Sequence, residues 1–142
     1  MYAHSFKNCV VIVDGRPLVN FADGDDVVTI EPRNDGATDL VGADGQMAVS
    51  ISADQSATMT VRLMQTSPDN RFLQQIFDRQ RAEGAFIPLM VSYRDLKTGE
   101  EGSGRGYIPR LPTMTRGAGV NSHEWVIVIE ALVLNFGIAA AF

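Results

Sequence analysis

Cysteine occurs once in this chain, as Cys9, and histidine twice, as His4 and His123. A lone thiol closes no internal disulfide and supplies no cysteine zinc cage, so Cys9, inside a strand-like run, reads as a small buried apolar residue. Neither histidine has a His or Cys neighbour at ligand spacing, which argues against zinc. Long apolar runs are also missing. The longest, residues 125–136, contains Glu130 and Asn135 and falls short of the ~20 residues a spanning helix needs, so no membrane association is expected. No basic stretch leads into an apolar segment near the start, where Asp14, Gly15 and Arg16 interrupt the run 9–13, and no secretion signal is expected.

Positive charge is in deficit. Twelve Lys and Arg stand against 17 Asp and Glu, a net charge of -5. Dedicated nucleic-acid binders neutralise phosphates with clustered cations, and this balance points away from them. The deficit is uneven: residues 1–55 carry nine acidic and three basic side chains, residues 56–142 eight and nine. Chance would account for that split, and so would complementary faces for head-to-tail assembly.

What is present suits one compact domain over residues 1–142, with 45% hydrophobic and 20% charged residues, close to globular averages. Residues 8–13 are apolar and β-branched, and Asp14-Gly15 offers the pair that closes a two-residue hairpin into residues 16–19. Residues 26–32, 46–52 and 57–65 alternate apolar and polar side chains, as half-exposed antiparallel strands do. The period then changes. Ser67 caps a helix with Pro68 at its first position and Asp69 in its first turn, Phe72, Leu73, Ile76 and Phe77 form one apolar stripe, and Gly84 stops it. The helix is expected over about residues 68–83. Strand character returns at 86–94, 105–109 and 124–134. Along the last of these, both parities are apolar apart from Glu130, as where one face packs on a core and the other meets a partner. Connections at 33–45, 95–104 and 110–123 are long, polar and rich in glycine, and loops of such length are often functional.

Sites for chemistry fail on spacing. Asp23, Asp25 and Asp26 around Gly24, and Asp44 before Gly45, lack the alternating carboxylates and terminal Glu of an EF-hand and read as acidic turns. Gly102-Ser103-Gly104 lacks the strand-to-helix elbow of a serine nucleophile and the Gly-Lys-Ser/Thr of a phosphate cradle, and is read as a flexible loop. Glu130 has no visible catalytic partner and is read as a subunit contact or a solvent-facing charge. No catalytic, cofactor or metal residues are assigned, and the chain is read as non-enzymatic.

Three segments, in this order, carry a family resemblance: Phe21-Ala22-Asp23-Gly24-Asp25-Asp26, Val41-Gly42-Ala43-Asp44-Gly45 and Leu63-Met64-Gln65-Thr66-Ser67-Pro68. Together with the helix after the last, they resemble tail tube proteins of contractile-tailed bacteriophages across most of the chain. The C-terminal third matches only in outline. The resemblance implies a mainly β, antiparallel sandwich or barrel-like subunit with one flanking helix. Six copies would form a ring, and rings would stack into a hollow tube in the virion tail, assembled in the host cytoplasm. Sheath, baseplate and tail terminator proteins would be its partners, and DNA would pass through an acidic lumen without specific binding.

In such a subunit the long extended loop at about residues 33–45 would reach the next ring, with Asp35, Asp39, Leu40, Val41 and Asp44 as candidate contacts. Trp125, Ile127, Ile129 and Glu130 would form the inter-subunit strand. Closing sheets between subunits would also remove exposed strand edges. A tube protein of a related contractile injection or type VI secretion machine is the alternative in the same class. A small-ligand-binding β-barrel with an enclosed apolar pocket is the alternative from another class, and a hydrolase ranks third.

Overall fold

The computed structural model describes residues 5–24, 26–82 and 86–137. His4, Asp25, Gly84 and the apolar ending at 138–142 lie outside the described residues. The described residues are mainly antiparallel β with one α-helix and a short 3-10 turn at Phe6–Asn8. The strands are β1 (Cys9–Val13), β2 (Arg16–Pro17), β3 (Val28–Pro32), β4 (Ala37–Val41), β5 (Met47–Ile51) and β6 (Ala57–Met64), followed by α1 (Asp69–Arg81). The remaining strands are β7 (Leu89–Asp95), β8 (Glu101–Tyr107), β9 (Ser122–Ile129) and β10 (Val133–Asn135).

Asp14-Gly15 makes the β1–β2 turn as the sequence requires. Both residues have positive φ, 49° and 83°, which a two-residue hairpin turn demands and Gly tolerates without strain. The main sheet runs β2-β1-β7-β8-β9-β6-β3, with β10 on β8, and is antiparallel at every pairing. It curls about β8. That strand pairs with β7 along six residues from Leu89 to Arg94, but with β9 only at Gly106 and Tyr107. The two arms of the sheet thereby enclose one core. Val11 and Val13 of β1 and Leu89 and Val91 of β7 join Met59, Val61 and Leu63 of β6 and Trp125, Ile127 and Ile129 of β9. Leu73 and Ile76 of α1 close this core.

The helix start works as the sequence suggests, one residue later. Pro68 is helical at φ -67°, ψ -17°, and the Ser67 hydroxyl accepts from the Asp69 N–H at 3.3 Å while donating to the Val19 carbonyl at 2.7 Å. Of the expected stripe, Leu73 and Ile76 are buried, whereas Phe72 and Phe77 are half-buried and lie under the guanidinium groups of Arg16 and Arg81. The helix ends at Arg81, and Ala82 is already extended. Gln80 fastens the last turn by accepting from the Ile108 N–H and donating to its carbonyl, both at 2.9 Å.

Asp69 shows what the first turn is for. It is fully buried, its Oδ2 accepts from the Val19 N–H at 2.7 Å, and its Oδ1 lies 2.6 Å from Arg16 Nε in an ion pair off the angle of a hydrogen bond. The carboxylate ties β2 and the segment after it to the helix.

Two expected loops contain strands. Gly102-Ser103-Gly104 lies inside β8 rather than in a flexible loop, because Gly is what the crowded strand crossing requires. A Cβ on Gly106 would run into the Val128 carbonyl oxygen, and one on Gly104 into the Cγ2 methyl of Ile129. The segment 33–45 contains β4, which pairs with β5 from Ala37 opposite Ile51 to Val41 opposite Met47. The extended loop is therefore one limb of a β-hairpin. The strand expected at 124–134 breaks at Glu130, where the chain leaves β9 before β10 returns to β8.

Candidate assembly surfaces

The β4–β5 hairpin is the part of the molecule that stands apart. Among the described residues its strands pair only with each other, forming a separate two-stranded sheet, and every residue from 31 to 51 is exposed. At the tip, the Gly42 N–H donates to the Gln46 carbonyl at 2.7 Å, and Asp44 Oδ1 accepts from the Gln46 N–H at 3.1 Å. At the base, the Ser52 N–H donates to the Gly36 carbonyl at 2.9 Å and the Arg33 N–H to the Ser56 carbonyl at 3.1 Å. Asp54 bonds Asn34 across the base and accepts from the Ser56 N–H at 2.9 Å. Its bonds to Ser56, the side-chain one foremost, hold its carboxyl below the ordinary value of 3.8.

The register sorts the hairpin into two faces. Val41, Met47, Val49 and Ile51 share one with Ala37 and Asp39, whereas Leu40 lies on the other with Thr38, Ser50 and Ala48. Leu40 and Val41, paired as one contact by sequence, therefore point opposite ways. The half-exposed strand expected at 46–52 is exposed on both faces, since among the described residues no layer covers Met47, Val49 or Ile51. An isolated two-stranded hairpin is marginal in water, and a contiguous apolar face of this kind marks an interaction surface. The acidic candidates Asp35, Asp39 and Asp44 are all exposed on this element or its ends.

The second set of candidates falls elsewhere. Trp125, Ile127 and Ile129 are 3%, 0% and 1% exposed, and their side chains point into the subunit's own core. Trp125 is further fixed by its indole N–H, which donates to Asn70 Oδ1 at 2.9 Å. The opposite parity, Val126 and Val128, is half-buried and faces outward. Glu130 is exposed and paired with Arg105 at 2.9 Å. The same outward face carries Arg62 between Asp26 at 3.1 Å and Glu124 at 3.4 Å, and Arg94 with Glu101 at 3.3 Å. Its charges are largely paired within the sheet.

Among the described residues, no three His, Cys, Asp or Glu side chains gather as a metal would need. Asp26 is engaged with Arg62, and His123 is buried in β9. The interior is filled by its own side chains, where a ligand-binding barrel would keep a pocket. Cys9 is half-buried, with its sulfur 3.6 Å from the Tyr93 hydroxyl. Burial first, then this contact, pushes the Tyr93 phenol above its ordinary range.

Comparison with known proteins gives these surfaces a context. Residues 12–133 match the family model described as Bacteriophage PhiTE tail tube protein. A curated relative, Structural protein ORF10 of Pseudomonas phage KPP10, is 34% identical over 126 residues, covering 84% of this chain and 70% of the relative. Three solved structures share the fold at low identity. The sheath/tube terminator of the extracellular contractile injection system PVC in its extended state matches with a TM-score of 0.62 at 12% identity, over 95% of this chain and 98% of the other. The PVC sheath-tube complex gives 0.63 at 10%, over 95% and 93%. The tube terminating cap of the anti-feeding prophage gives 0.60 at 9%, over 96% and 93%. An antiparallel fold with one helix and an uncovered apolar arm, matched along most of its length by a tube family, places the chain: it belongs to the PhiTE-type bacteriophage tail tube protein family and is a structural component of the virion tail.

Proposed function

We propose that the chain is the repeating subunit of the tube itself: six copies close into a ring, rings stack, and the hollow stack conducts DNA during ejection. In this reading it has no catalytic activity, and its partners are further copies of itself, the sheath around it, the baseplate and a terminator at its end. The carrying observation is the β4–β5 hairpin, on which Val41, Met47, Val49 and Ile51 are all exposed on one face. The names of the structural relatives, a sheath-tube complex among them, support the same partners.

Two of those relatives are terminating subunits, which favours a cap at the tube's end as the second reading. Electron microscopy of purified protein at high concentration separates the two. Long tubes are expected, single rings that do not stack would favour the cap, and monomers at every salt and pH would overturn both.

The arm's part is tested by excision. β3 and β6 already pair as far as Pro32 opposite Ala57, and the Arg33 N–H reaches the Ser56 carbonyl. Replacing residues 34–55 by Asn-Gly therefore leaves a favourable two-residue hairpin between them. The expected product melts like the native subunit and forms no tubes. Tubes of normal length from this variant would remove the arm from assembly, and an unfolded variant would show that the arm supports its own subunit.

A further inference from the structure

A tube needs the hairpin to meet a surface, and the charges on the chain discriminate among the grooves available. Residues 34–54 contain Asp35, Asp39, Asp44 and Asp54 and no Lys or Arg. Asp39 sits in the middle of the apolar face, opposite Val49, where docking would bury it beside the valines. A carboxylate taken out of water this way needs a cation on the other side.

The groove at the foot of α1 meets that requirement. About 290 Å³ in volume, it is lined by Arg71 and Gln74 of α1, Trp125 of β9, and Leu111, Met114 and Arg116 of the segment that connects β8 to β9. Among the described residues, no carboxylate lines it. The connecting segment, residues 108–121, has Arg110 and Arg116 and no acidic residue. It also holds apolar side chains open to solvent: Leu111 is 43% exposed, Met114 69% and Val120 65%. Arg116 is steadied by a hydrogen bond to Gln65, so its charge is presented from an otherwise irregular segment.

Other grooves fit less well. The one beside Phe86 and Tyr107 is larger, about 580 Å³, but of its two cations Arg105 is already paired with Glu130 and Arg33 stands near Asp54, so it offers an acidic arm no surplus of positive charge. The one over β1 and β7 has its arginine, Arg94, already paired with Glu101.

We propose that the hairpin of one copy docks on the α1 groove of a second copy, its apolar face against Leu111 and Met114 and Asp39 against Arg71 and Arg116. This inference rests on the tube reading above and names the partner surface for its arm. The unlike charge of the two halves of the chain then has a use: the acidic limb of each subunit addresses the basic side of the next, a head-to-tail contact that repeats without closing on itself.

The test uses the full chain and the critical concentration for forming pelletable tubes, with microscopy of the pellet. Arg71 and Arg116 are both exposed, and R71E/R116E together should raise the critical concentration roughly tenfold or more by placing like charges in contact. Adding Asp39→Arg to that background should bring it back toward the native value. Met114→Asp, at an exposed side chain, should weaken assembly alone and provides a reading should the arginine variants lose their thermal melt.

Native-like assembly of both R71E/R116E and Met114→Asp would overturn the groove. If arm excision still abolished tubes, the arm reading would survive that result. Lost assembly without rescue by Asp39→Arg would assign the groove to a different neighbour and equally overturn the docking proposed.

Discussion

Leu73 and Ile76 are the side chains that α1 commits to the interior, at 0% and 4% exposure, while Phe72 and Phe77 spend part of their surface under arginines. Size alone would rank the phenylalanines first, and burial reverses that order. Leu73→Ala should cost about 2 to 5 kcal/mol through lost transfer energy and a residual cavity. Phe72→Ala should cost less, because its ring already meets water. Ser67→Ala should cost about 1 to 2 kcal/mol, losing both the cap on Asp69 and the bond to Val19. Urea denaturation of the three variants checks the order. A Phe72→Ala subunit less stable than Leu73→Ala would show the burial ranking to be wrong.

Among the elements, β8 and the hairpin behave in opposite ways. β8 is confined: with its backbone pressed on Val128 and Ile129, Gly106→Ala has no room and should destabilise by about 3 kcal/mol or more as the strands separate. A melt unchanged by Gly106→Ala would mean that β9 can move aside freely. The hairpin is held by its own β4–β5 ladder and by bonds at its tip and base, and the base includes a titratable carboxyl. Asp54 has a carboxyl lowered from 3.8 by Ser56, so its contribution is present above that value. It is lost as pH falls through the lowered one. Amide exchange in β4 and β5 should accelerate on acidification through this range, ahead of exchange in the main sheet. Asp54→Asn should remove that part of the pH dependence. An acid response identical in native protein and Asp54→Asn would place the control elsewhere.

For the molecule as a whole, the sequence disclosed what local pattern can disclose. Asp14-Gly15, the alternation of residues 57–65 and the Ser67-Pro68 helix start each combine a residue type with a position, and each lies where that combination demands. β4 was hidden because Ala37, Thr38 and Asp39 alternate nothing and sit between glycines, so only pairing with β5 makes the segment a strand. Of β8 only the end was legible, in the strand expected at 105–109, and its first half was hidden for the opposite reason. Its three glycines look like freedom in sequence, and they serve a close approach that only the tertiary crossing reveals. The apolar run from Trp125 was legible as a strand but not by destination, since periodicity cannot say whether a face meets its own core or a neighbour. The candidate site divides the same way: the acidic, glycine-rich position of the arm was readable, and its apolar face, created by cross-strand register, was not.

Among the described residues, nothing pairs with either outer edge of the β4–β5 ribbon, and one of its faces is largely apolar. A ribbon of that kind is a template for unwanted fibrils while free subunits accumulate. Asp39 stands in the way. Stacking two such ribbons face to face would bring the carboxylate of one copy into the apolar seam of the other with no cation to receive it, a cost of several kcal/mol. On the docking proposed above, Asp39 would thus serve twice, steering the arm and opposing ribbon-on-ribbon association of free subunits until a cationic surface is offered.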